Sequence, residues 1–275
     1  MSLPLVSVCI PVHNVTRFLD EAIFSVLTQT YANFELVIAN GASQREPRRL
    51  IDEIVSRNSD PRVQLILNPA NYSMVENWNS VIMKARGSYL KLLCADDVLM
   101  PDCLQRQVQA LQKHPNVVLA AGSRVIINQK GNRLFTRNGI RSRGIHTGSS
   151  MIRRCILAGT NIIGDPVCVM WRRTGIDQLG FFDPSILYCT DLEYWLRLLS
   201  IGDLYYDTAP VAFYRIHKSS AGVGLAGVVV DDFLRTAKLN IKRSGIHLTD
   251  LQLKIAGLKS LLMNVVRQII YGILG

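Results

Sequence analysis

The feature that most constrains this fold is a short apolar run that ends on two adjacent carboxylates. The run occupies residues 89–93 within GSYLKLLCADDVLM, residues 87–100. Its pattern is typical of a strand covered on both faces of a sheet. Asp96 and Asp97 follow where the run stops, and Pro101 suits the first turn of a helix. Because open α/β sheets bind ligands at the carboxyl ends of their strands, the two acids mark a candidate site.

Two adjacent carboxylates at a strand end favour a bound cation, because their charges otherwise repel each other. Without a nearby His or Cys ligand, carboxylate oxygens suit Mg²⁺ or Mn²⁺, ions that usually hold a substrate phosphate as well. The alternative is a solvated turn in which Asp97 caps the following helix. The spacing by itself leaves both interpretations open.

The order of local patterns predicts an α/β fold with a mostly parallel, doubly wound sheet. In the first hundred residues, predicted strands alternate with predicted helices, the arrangement that builds parallel sheets. The predicted strands are 5–11, 34–39, 62–67, 89–93, 117–127, 167–171, 204–206 and 211–216. Helices are predicted after Thr16, which can cap the first one, over 47–56, 74–86, 104–113, 149–157 and 191–200, and from Val228 onward. The polar segment 128–148 is predicted to form a hairpin or a long loop over a site.

The composition indicates a full hydrophobic core and reduced cysteines. The chain has 275 residues, of which 48% are hydrophobic, enough for one large domain or a domain with an appendage. The 6 cysteines form no C-x-x-C pair, a pattern typical of a cytosolic protein. No window reaches the ~18 uncharged apolar residues of a membrane span, and Pro11 comes too early for a signal peptide. We therefore expect a cytoplasmic location.

The positive charge is concentrated in the middle of the chain, which predicts an anionic partner. The net charge is +10, and no Asp or Glu occurs between Cys103 and Gly164. The basic residues of that stretch are Arg106, Lys113, Arg124, Lys130, Arg133, Arg137, Arg141, Arg143, Arg153 and Arg154. A phosphorylated substrate, a membrane surface or a nucleic acid would each match this charge. A solvated basic face without a ligand is the alternative.

Four segments, in order along the chain, resemble family 2 glycosyltransferases with the GT-A fold. Residues 7–43 contain PVHN, similar to the P-x-Y-N strand end of that family, and SVLTQTYANF, which matches its S-V-L-x-Q-T-Y-x-N-F signature. Residues 68–97 resemble the helix and strand that lead to its DXD-type acids. Residues 179–199 resemble the segment with the catalytic base, and YRIHKSSAG, residues 214–222, resembles a later segment near the donor phosphates. The resemblance covers roughly the first 220 residues.

This resemblance implies an inverting enzyme that transfers a sugar from a nucleotide-diphosphate sugar to an acceptor hydroxyl, with Mg²⁺ or Mn²⁺. It implies a GT-A domain over residues 1–220, with a nucleotide-binding half, 1–100, and an acceptor half, 101–220. A helical appendage would follow over 221–275. The implied acceptor is a glycan or a lipid-linked molecule of bacterial surface polysaccharide or glycan synthesis. No nucleic-acid partner is expected.

The same resemblance implies roles for individual residues. Asp97 matches the metal ligand, Asp96 matches the residue that meets the donor ribose or sugar, and Asp191 matches the general base. His217 could reach the metal or a phosphate oxygen, and Arg215, Lys218 and Ser219 could bind phosphate from the same loop. The implied donor-binding residues are Pro11, Val12, His13, Asn14, Asn40, Asn79 and Asp96. From the residues alone, Asp191 can instead be a helix N-cap, and His217 a structural residue after a strand.

Several positions depart from the family pattern. His13 replaces a Tyr, Ala95 replaces a third Asp, and Thr190 replaces a Glu before the base. Asn40 stands where the family has an Asp that contacts the nucleotide base. Because an amide both donates and accepts hydrogen bonds, whereas a carboxylate only accepts, a base other than uracil stays open.

The sequence has features of three functions other than glycosyl transfer. GVGLAG, residues 222–227, has the spacing of a dinucleotide fingerprint, but it does not join a strand directly to a helix and only helical sequence follows. A nucleic-acid-binding module would suit the charge, but the chain has no zinc pattern or RNP motif. A nucleotide-sugar-binding protein with impaired catalysis is the third alternative, because Ala39 and Ala95 replace family acids.

The final helical pattern carries a wide apolar stripe. Its members are Leu251, Ile255, Leu258, Leu262, Val265, Ile269 and Ile273. Gln252, Lys259, Asn264 and Arg267 lie on the other side of the predicted helix. The stripe can cover the protein's own sheet or pair two subunits as a homodimer. It can also attach the protein to the anionic cytoplasmic face of the inner membrane.

Overall fold

A mixed sheet forms the centre of the computed structural model, which describes residues 3–12, 17–41, 45–68, 72–217 and 228–274, without the side chains of 45–48. The strands are β1 (Val6–Val12), β2 (Phe34–Asn40), β3 (Val63–Leu67), β4 (Tyr89–Leu92), β5 (Val98–Leu99), β6 (Val117–Ile127), β7 (Arg133–Arg137), β8 (Gly144–His146), β9 (Val169–Arg172) and β10 (Asp203–Arg215). The helices are α1 (Leu19–Leu27), α2 (Arg45–Arg57), α3 (Met74–Lys84), α4 (Cys103–Lys113), α5 (Gly148–Ala158), α6 (Thr174–Leu179), α7 (Thr190–Leu199), α8 (Val229–Ser244) and α9 (Asp250–Leu274).

The strand order is β3-β2-β1-β4-β9-β6-β10-β5, with β7 paired to β6 and β8 paired to β10. Strands β1 to β4 are parallel, β9 is antiparallel to both β4 and β6, and β10 is parallel to β6. The prediction of a mostly parallel sheet is confirmed. The carboxyl ends of the parallel strands therefore share one edge with the amino end of β9.

The predicted elements differ from the structure mainly in the second half of the chain. The two strands expected over 204–206 and 211–216 are one strand, β10, whose register against β6 shifts around Pro210. Proline has no N–H to donate, so the ladder is interrupted there without ending the strand. The segment 128–148 contains a hairpin strand, β7, and a second strand, β8, which pairs with β10. The short elements β5 and α6 were not predicted.

A cluster of aromatic side chains fixes helix α7 to the sheet. Trp171 on β9 packs against Phe182, Tyr194 and Trp195, with ring centroids 5.4–6.3 Å apart. The indole Nε1 of Trp195 also donates a hydrogen bond of 3.1 Å to the carbonyl of Gly164. Because large buried rings contribute several kcal/mol each to core packing, on the order of 3–5 for loss of a Trp, the start of α7 is held firmly beside residues 161–165.

Helix α9 packs against the protein with the face opposite its apolar stripe. Its buried residues are Ala256, Gly257, Ser260, Asn264 and Tyr271, whereas Leu258 is 68% exposed and Leu262 is 62% exposed. The alternative that the stripe covers the protein's own sheet is therefore wrong. Within the described residues, no helix has both the length and the apolar character needed to cross a bilayer.

A glycine at the end of α5 allows this close packing. Gly159 has φ +68°, and a Cβ there would lie 2.7 Å from the carbonyl oxygen of Ala256 and from the amide of Ser260. A side chain at that position would push α9 away, so the small residues of α9 face the point of closest approach.

Candidate active site

Two adjacent cavities lie where the carboxyl ends of the parallel strands meet the amino end of β9. The carboxylate cavity, about 160 Å³, is lined by Asp96, Asp97, Asp165 and Asp191 among others. The α9 cavity, about 360 Å³, lies between β6, β7 and helix α9. Asp165, Tyr214 and Arg267 line both cavities. The structure thus brings the two predicted carboxylate sites, far apart in sequence, to one cleft.

The Asp96–Asp97 turn is held by Arg215 at the end of β10. The carboxylate of Asp97 accepts a 2.9 Å hydrogen bond from the backbone N–H of Arg215, whose Nε donates to the carbonyl of Asp96 at 2.8 Å. The Arg215 guanidinium also pairs with Glu21 at 2.5 Å and is buried. Arg215 therefore fixes the turn. Lys218 and Ser219 lie outside the described residues.

Asp97 is suited to a cation, because it is buried beside another carboxylate. Its side chain is almost fully buried, and burial, followed by the charge of Asp96, raises the pKa of Asp97 well above its ordinary value. The next helix begins at Cys103 with Asp102 as its N-cap, so the alternative that Asp97 caps this helix is wrong. A divalent cation would offset the repulsion between the ionised carboxylates of Asp97 and Asp96.

The potential metal ligands include a cysteine that was not predicted, Cys94. Ligand atoms of Cys94, Asp96 and Asp97 all lie within 4.8 Å of one another. Burial and then the two carboxylates raise the pKa of the Cys94 thiol well above its ordinary value, which keeps the thiol neutral. Carboxylate oxygens beside a neutral thiol fit Mg²⁺ or Mn²⁺ better than a soft metal. His217 Nε2 lies 2.9 Å from Asp96 Oδ2, so it adjoins this group.

Asp191 lies in the first turn of α7 and faces the carboxylate cavity. One carboxylate oxygen accepts the backbone N–H of Leu192 at 2.7 Å, and the other accepts the side-chain amide of Asn161 at 2.8 Å. Burial, and then the charge of Asp165, raises the pKa of Asp191 to about 6. The N-cap of α7 is Cys189, so the alternative that Asp191 is the N-cap is wrong. The Asp191 carboxylate does accept one backbone N–H of the first turn.

Two site residues, Asn161 and Asp165, were not predicted. The side-chain oxygen of Asn161, Oδ1, accepts the backbone N–H groups of Ile163 and Gly164 at 3.0 and 3.1 Å, which fixes the side-chain amide that orients Asp191. Asp165 follows Gly164, whose φ of +140° favours glycine. Its carboxylate forms an ion pair with Arg124, 2.6 Å from Nε, although this Nε has no hydrogen-bond partner among the described residues. The available signal was that Asp165 is the first acid after the acid-free stretch.

The predicted donor residues at the ends of β1 and β2 lie side by side. The carbonyl of Val12, which follows Pro11, accepts hydrogen bonds from the Gly41 N–H at 2.7 Å and from the Asn77 amide at 3.1 Å. Asn40, the last residue of β2, is fully buried next to this junction. His13 and Asn14 lie outside the described residues, as does GVGLAG.

The Asn79 side chain is bound to the backbone of Phe182. Its side-chain amide donates to the carbonyl of Phe182 at 2.9 Å, and its side-chain oxygen accepts the N–H of Phe182 at 3.1 Å. This pair of bonds ties α3 to the loop before α7, and the donor contact of Asn79 stays a prediction.

Helix α9 contributes directly to the cleft. Arg267 donates a 2.8 Å hydrogen bond to the Tyr188 hydroxyl, and the hydroxyls of Tyr214 and Tyr271 lie 2.8 Å apart. Arg267 lies on the side of α9 opposite the apolar stripe, as predicted, and that side faces the protein. The helical segment is therefore a wall of the site.

Comparison with known proteins agrees with this arrangement. A model of the family described as glycosyl transferase family 2 matches residues 7–180. An uncharacterized glycosyltransferase of Rickettsia prowazekii (strain Madrid E) is 27% identical over 224 residues, which are 78% of this chain and 64% of the relative. The chain spans less than two thirds of the length of such curated relatives.

Two solved structures share the fold. The crystal structure of S. aureus TarS 1-349 in complex with UDP-GlcNAc superimposes with a TM-score of 0.69 and 13% identity, over 93% of this chain and 71% of that one. The mannosyltransferase PcManGT from Pyrobaculum calidifontis, in complex with GDP-Man and Mn²⁺, gives a TM-score of 0.64 and 14% identity, over 98% of this chain and 74% of that one. The expected GT-A fold is thereby confirmed.

Proposed function

The chain belongs to glycosyl transferase family 2, and from this premise we propose that it transfers a sugar from a nucleotide-diphosphate sugar to an acceptor hydroxyl with inversion of the anomeric centre. The observation that carries the proposal is one cleft that contains both the Asp96–Asp97 pair and Asp191. Bacterial surface polysaccharide or glycan synthesis is the proposed setting, at a cytoplasmic location.

In the proposed reaction, Asp191 accepts the proton of the attacking acceptor hydroxyl. Its raised pKa, about 6, leaves it mostly ionised at neutral pH and makes it a better base than an ordinary aspartate. Asn161 holds the carboxylate in one orientation through its 2.8 Å hydrogen bond. A single displacement, with one base on the side of the acceptor, inverts the sugar carbon.

The donor diphosphate is proposed to bind beside the Asp96–Asp97 turn. Asp97, with Asp96, would hold Mg²⁺ or Mn²⁺, which when bound supplies neutralisation of the leaving diphosphate. Two fold relatives support this assignment, because one is described with UDP-GlcNAc and the other with GDP-Man and Mn²⁺. Pro11, Val12, His13, Asn14 and Asn40 are proposed to contact the nucleotide. His217 is proposed as a further ligand or as the partner that positions Asp96.

Donor binding is tested by thermal shift with UDP, GDP, UDP-sugars and GDP-sugars, each in Mn²⁺ and in EDTA. A nucleotide at ~100 times its dissociation constant should stabilise the protein by about 2.7 kcal/mol. We expect this stabilisation in Mn²⁺ and its loss in Asp97→Asn, whereas the exposed control Asp102→Asn should behave like the unaltered protein. Equal donor affinity in Mn²⁺ and EDTA would contradict the metal assignment.

A nucleotide-sugar-binding protein with impaired catalysis is the second candidate, favoured by Ala95 at a family acid position. Release of nucleoside diphosphate from a bound donor separates the two, because a binding protein holds the donor without cleaving it. Slow release that depends on Mn²⁺ and on Asp191 supports the transferase. Tight donor binding with no release under any condition supports the second candidate.

We also propose that the exposed stripe of α9 attaches the protein to an anionic membrane surface. Leu258, Leu262 and Ile273 are more than half exposed, and no acid follows Asp250 while Lys254 and Lys259 lie on the same helix. Apolar side chains beside basic ones suit an anionic lipid interface. A homodimer through the same stripe is the competing outcome.

The attachment is tested by flotation with anionic liposomes. Removing α9 would also remove a wall of the cleft, so the test uses Leu258→Glu/Leu262→Glu, with Phe24→Glu on α1 as the control at another exposed apolar position. We expect the double variant alone to lose flotation. If all forms stay in the soluble fraction, and the unaltered protein is a dimer that the double substitution dissociates, the homodimer is supported instead.

A further inference from the structure

Asp165 is a carboxylate of the cleft that has no role in the proposed reaction. It lines the carboxylate cavity together with the Asp96–Asp97 pair and Asp191, and it lines the α9 cavity as well. It also lines a third cavity, of about 40 Å³, to which Asp191 contributes too. Asp165 therefore lies where the three cavities adjoin, at the amino end of β9.

The charges of the cleft indicate that Asp165 lies between the predicted metal pair and the proposed base. After burial, the charge of Asp165 is the largest effect that raises the pKa of Asp191, and it also raises the pKa of Asp97. Neither Asp97 nor Asp191 is among the main influences on the pKa of the other. Because charge interactions weaken with distance, Asp165 lies near both groups and links the two ends of the cavity.

The Asp165 carboxylate has capacity for a ligand. Arg124 Nε lies 2.6 Å from it in an ion pair, and Arg124 is almost fully buried, so the carboxylate is held in place. In the part of the chain that the structure describes, no N–H or O–H group donates a hydrogen bond to this carboxylate. Since a carboxylate has about four lone-pair sites, it can accept several hydroxyl groups of a bound molecule.

The residue before the proposed base does not supply such an acceptor. Thr190 stands where the family pattern has a Glu, and its hydroxyl donates to the carbonyls of Ile186 at 2.7 Å and Leu187 at 3.2 Å. Thr190 is almost fully buried, so its hydroxyl is engaged within the loop before α7. Asp165 places a carboxylate beside the base from a different element.

The proposed reaction fixes where the transferred sugar must lie. In a single displacement, the leaving diphosphate and the acceptor hydroxyl are in line on opposite sides of the anomeric carbon. The diphosphate is proposed to bind beside the Asp96–Asp97 turn, and Asp191 is the proposed base on the acceptor side. The sugar ring therefore lies between these groups, where Asp165 borders the cavity.

We propose that Asp165 binds hydroxyl groups of the transferred sugar, and that this sugar is neutral with free hydroxyls on adjacent ring carbons. The two carboxylate oxygens accept these hydroxyls in charge-assisted hydrogen bonds, while Arg124 holds the carboxylate. An acidic sugar would add a negative charge to a cavity that four carboxylates already line. This inference rests on the proposed function, because it names the sugar class of the proposed donor.

The test measures donor affinity by calorimetry in Mn²⁺ with the full chain. The probes are UDP, GDP, UDP-glucose, UDP-N-acetylglucosamine, GDP-mannose and UDP-glucuronic acid. Asp165→Ala should weaken binding of the tightest neutral nucleotide sugar about 10-fold or more, the scale of a hydrogen bond to a charged group, and leave the affinity for the free nucleoside diphosphate unchanged. Asp165→Asn, which keeps the shape of the side chain, should weaken it less. Asp207→Asn, which removes a carboxylate from the ion pair with Arg106 outside the three cavities, should change neither affinity.

A crystal structure of the unaltered protein with the same nucleotide sugar and Mn²⁺ gives a second test, which does not depend on the folding of a variant. Sugar hydroxyls within hydrogen-bond distance of Asp165 support the inference. A sugar ring without this contact, equal affinity of Asp165→Ala and the unaltered protein for the nucleotide sugar, or tighter binding of UDP-glucuronic acid than of the neutral donors would overturn it, and the proposed function would stand. If no nucleotide binds to the unaltered protein, the proposed function itself fails and this inference with it.

Discussion

Lowering the pH from 7 to 5 should remove most of the turnover, because the proposed base titrates between these values. Burial and Asp165 raise the pKa of Asp191 to about 6 from an ordinary value of 3.8. At that pKa, ~90% of the carboxylate is ionised at pH 7 and ~10% at pH 5, which predicts about a 10-fold loss of rate. An unperturbed aspartate would give almost no loss in this range.

The sign of the effect on stability is opposite, which separates catalysis from unfolding. A folded-state pKa above the unfolded value contributes stability that is complete below pH ~4 and is lost as the pH rises through ~6. The difference of about two pKa units corresponds to ~3 kcal/mol against the ionised form at neutral pH. Protonation of Asp191 therefore favours the folded state at pH 5, so the titration of this group lowers the rate without destabilising the fold.

The assay follows nucleoside diphosphate release from saturating donor between pH 5 and 8, with donor affinity measured at each pH. Asp191→Asn should lower the rate by ~10² or more at pH 7 and flatten the profile. Asp165→Asn removes a neighbouring negative charge and should move the acid limb to lower pH. A rate that is constant from pH 7 to 5, or the same acid limb in Asp191→Asn, would refute the assignment of the base.

Two further predictions concern the residues that position the site. Asn161→Ala should lower the rate and move the acid limb to higher pH, because the Asn161 amide lowers the pKa of Asp191; an unmoved limb in the same release assay would contradict its orienting role. Gly159→Ala should lower the free energy of unfolding, measured by chemical denaturation, by ~1–3 kcal/mol more than Gly245→Ala does. The two glycines have similar φ, +68° and +67°, but an added Cβ would collide with α9 only at Gly159. Equal losses in the two variants would show that α9 docking does not require the close approach.

The sequence by itself determined the sheet and the first pair of acids. Alternating strand and helix patterns predicted the parallel half of the sheet, because side-chain periodicity reports local burial directly. Asp96 and Asp97 could be assigned to a ligand edge because they follow a buried strand, and strand ends carry ligands in such folds. Asp191 was assigned through the resemblance of the residues around it.

Only the tertiary structure decided which other side chains lie beside Asp96, Asp97 and Asp191, and which face of α9 packs against the protein. Asp165 reaches the ligand edge because β9 runs antiparallel, so its amino end lies beside the carboxyl ends of the other strands. The Asn79 side chain is bound to the backbone of Phe182, 103 residues away in sequence, so only the tertiary structure shows this contact. Periodicity predicts burial of the apolar stripe of α9, but Gly159 allows close approach only to the small residues on the opposite face. Packing at that contact turns Arg267 into the cleft and the leucines outward, and no local pattern in the sequence contains this contact.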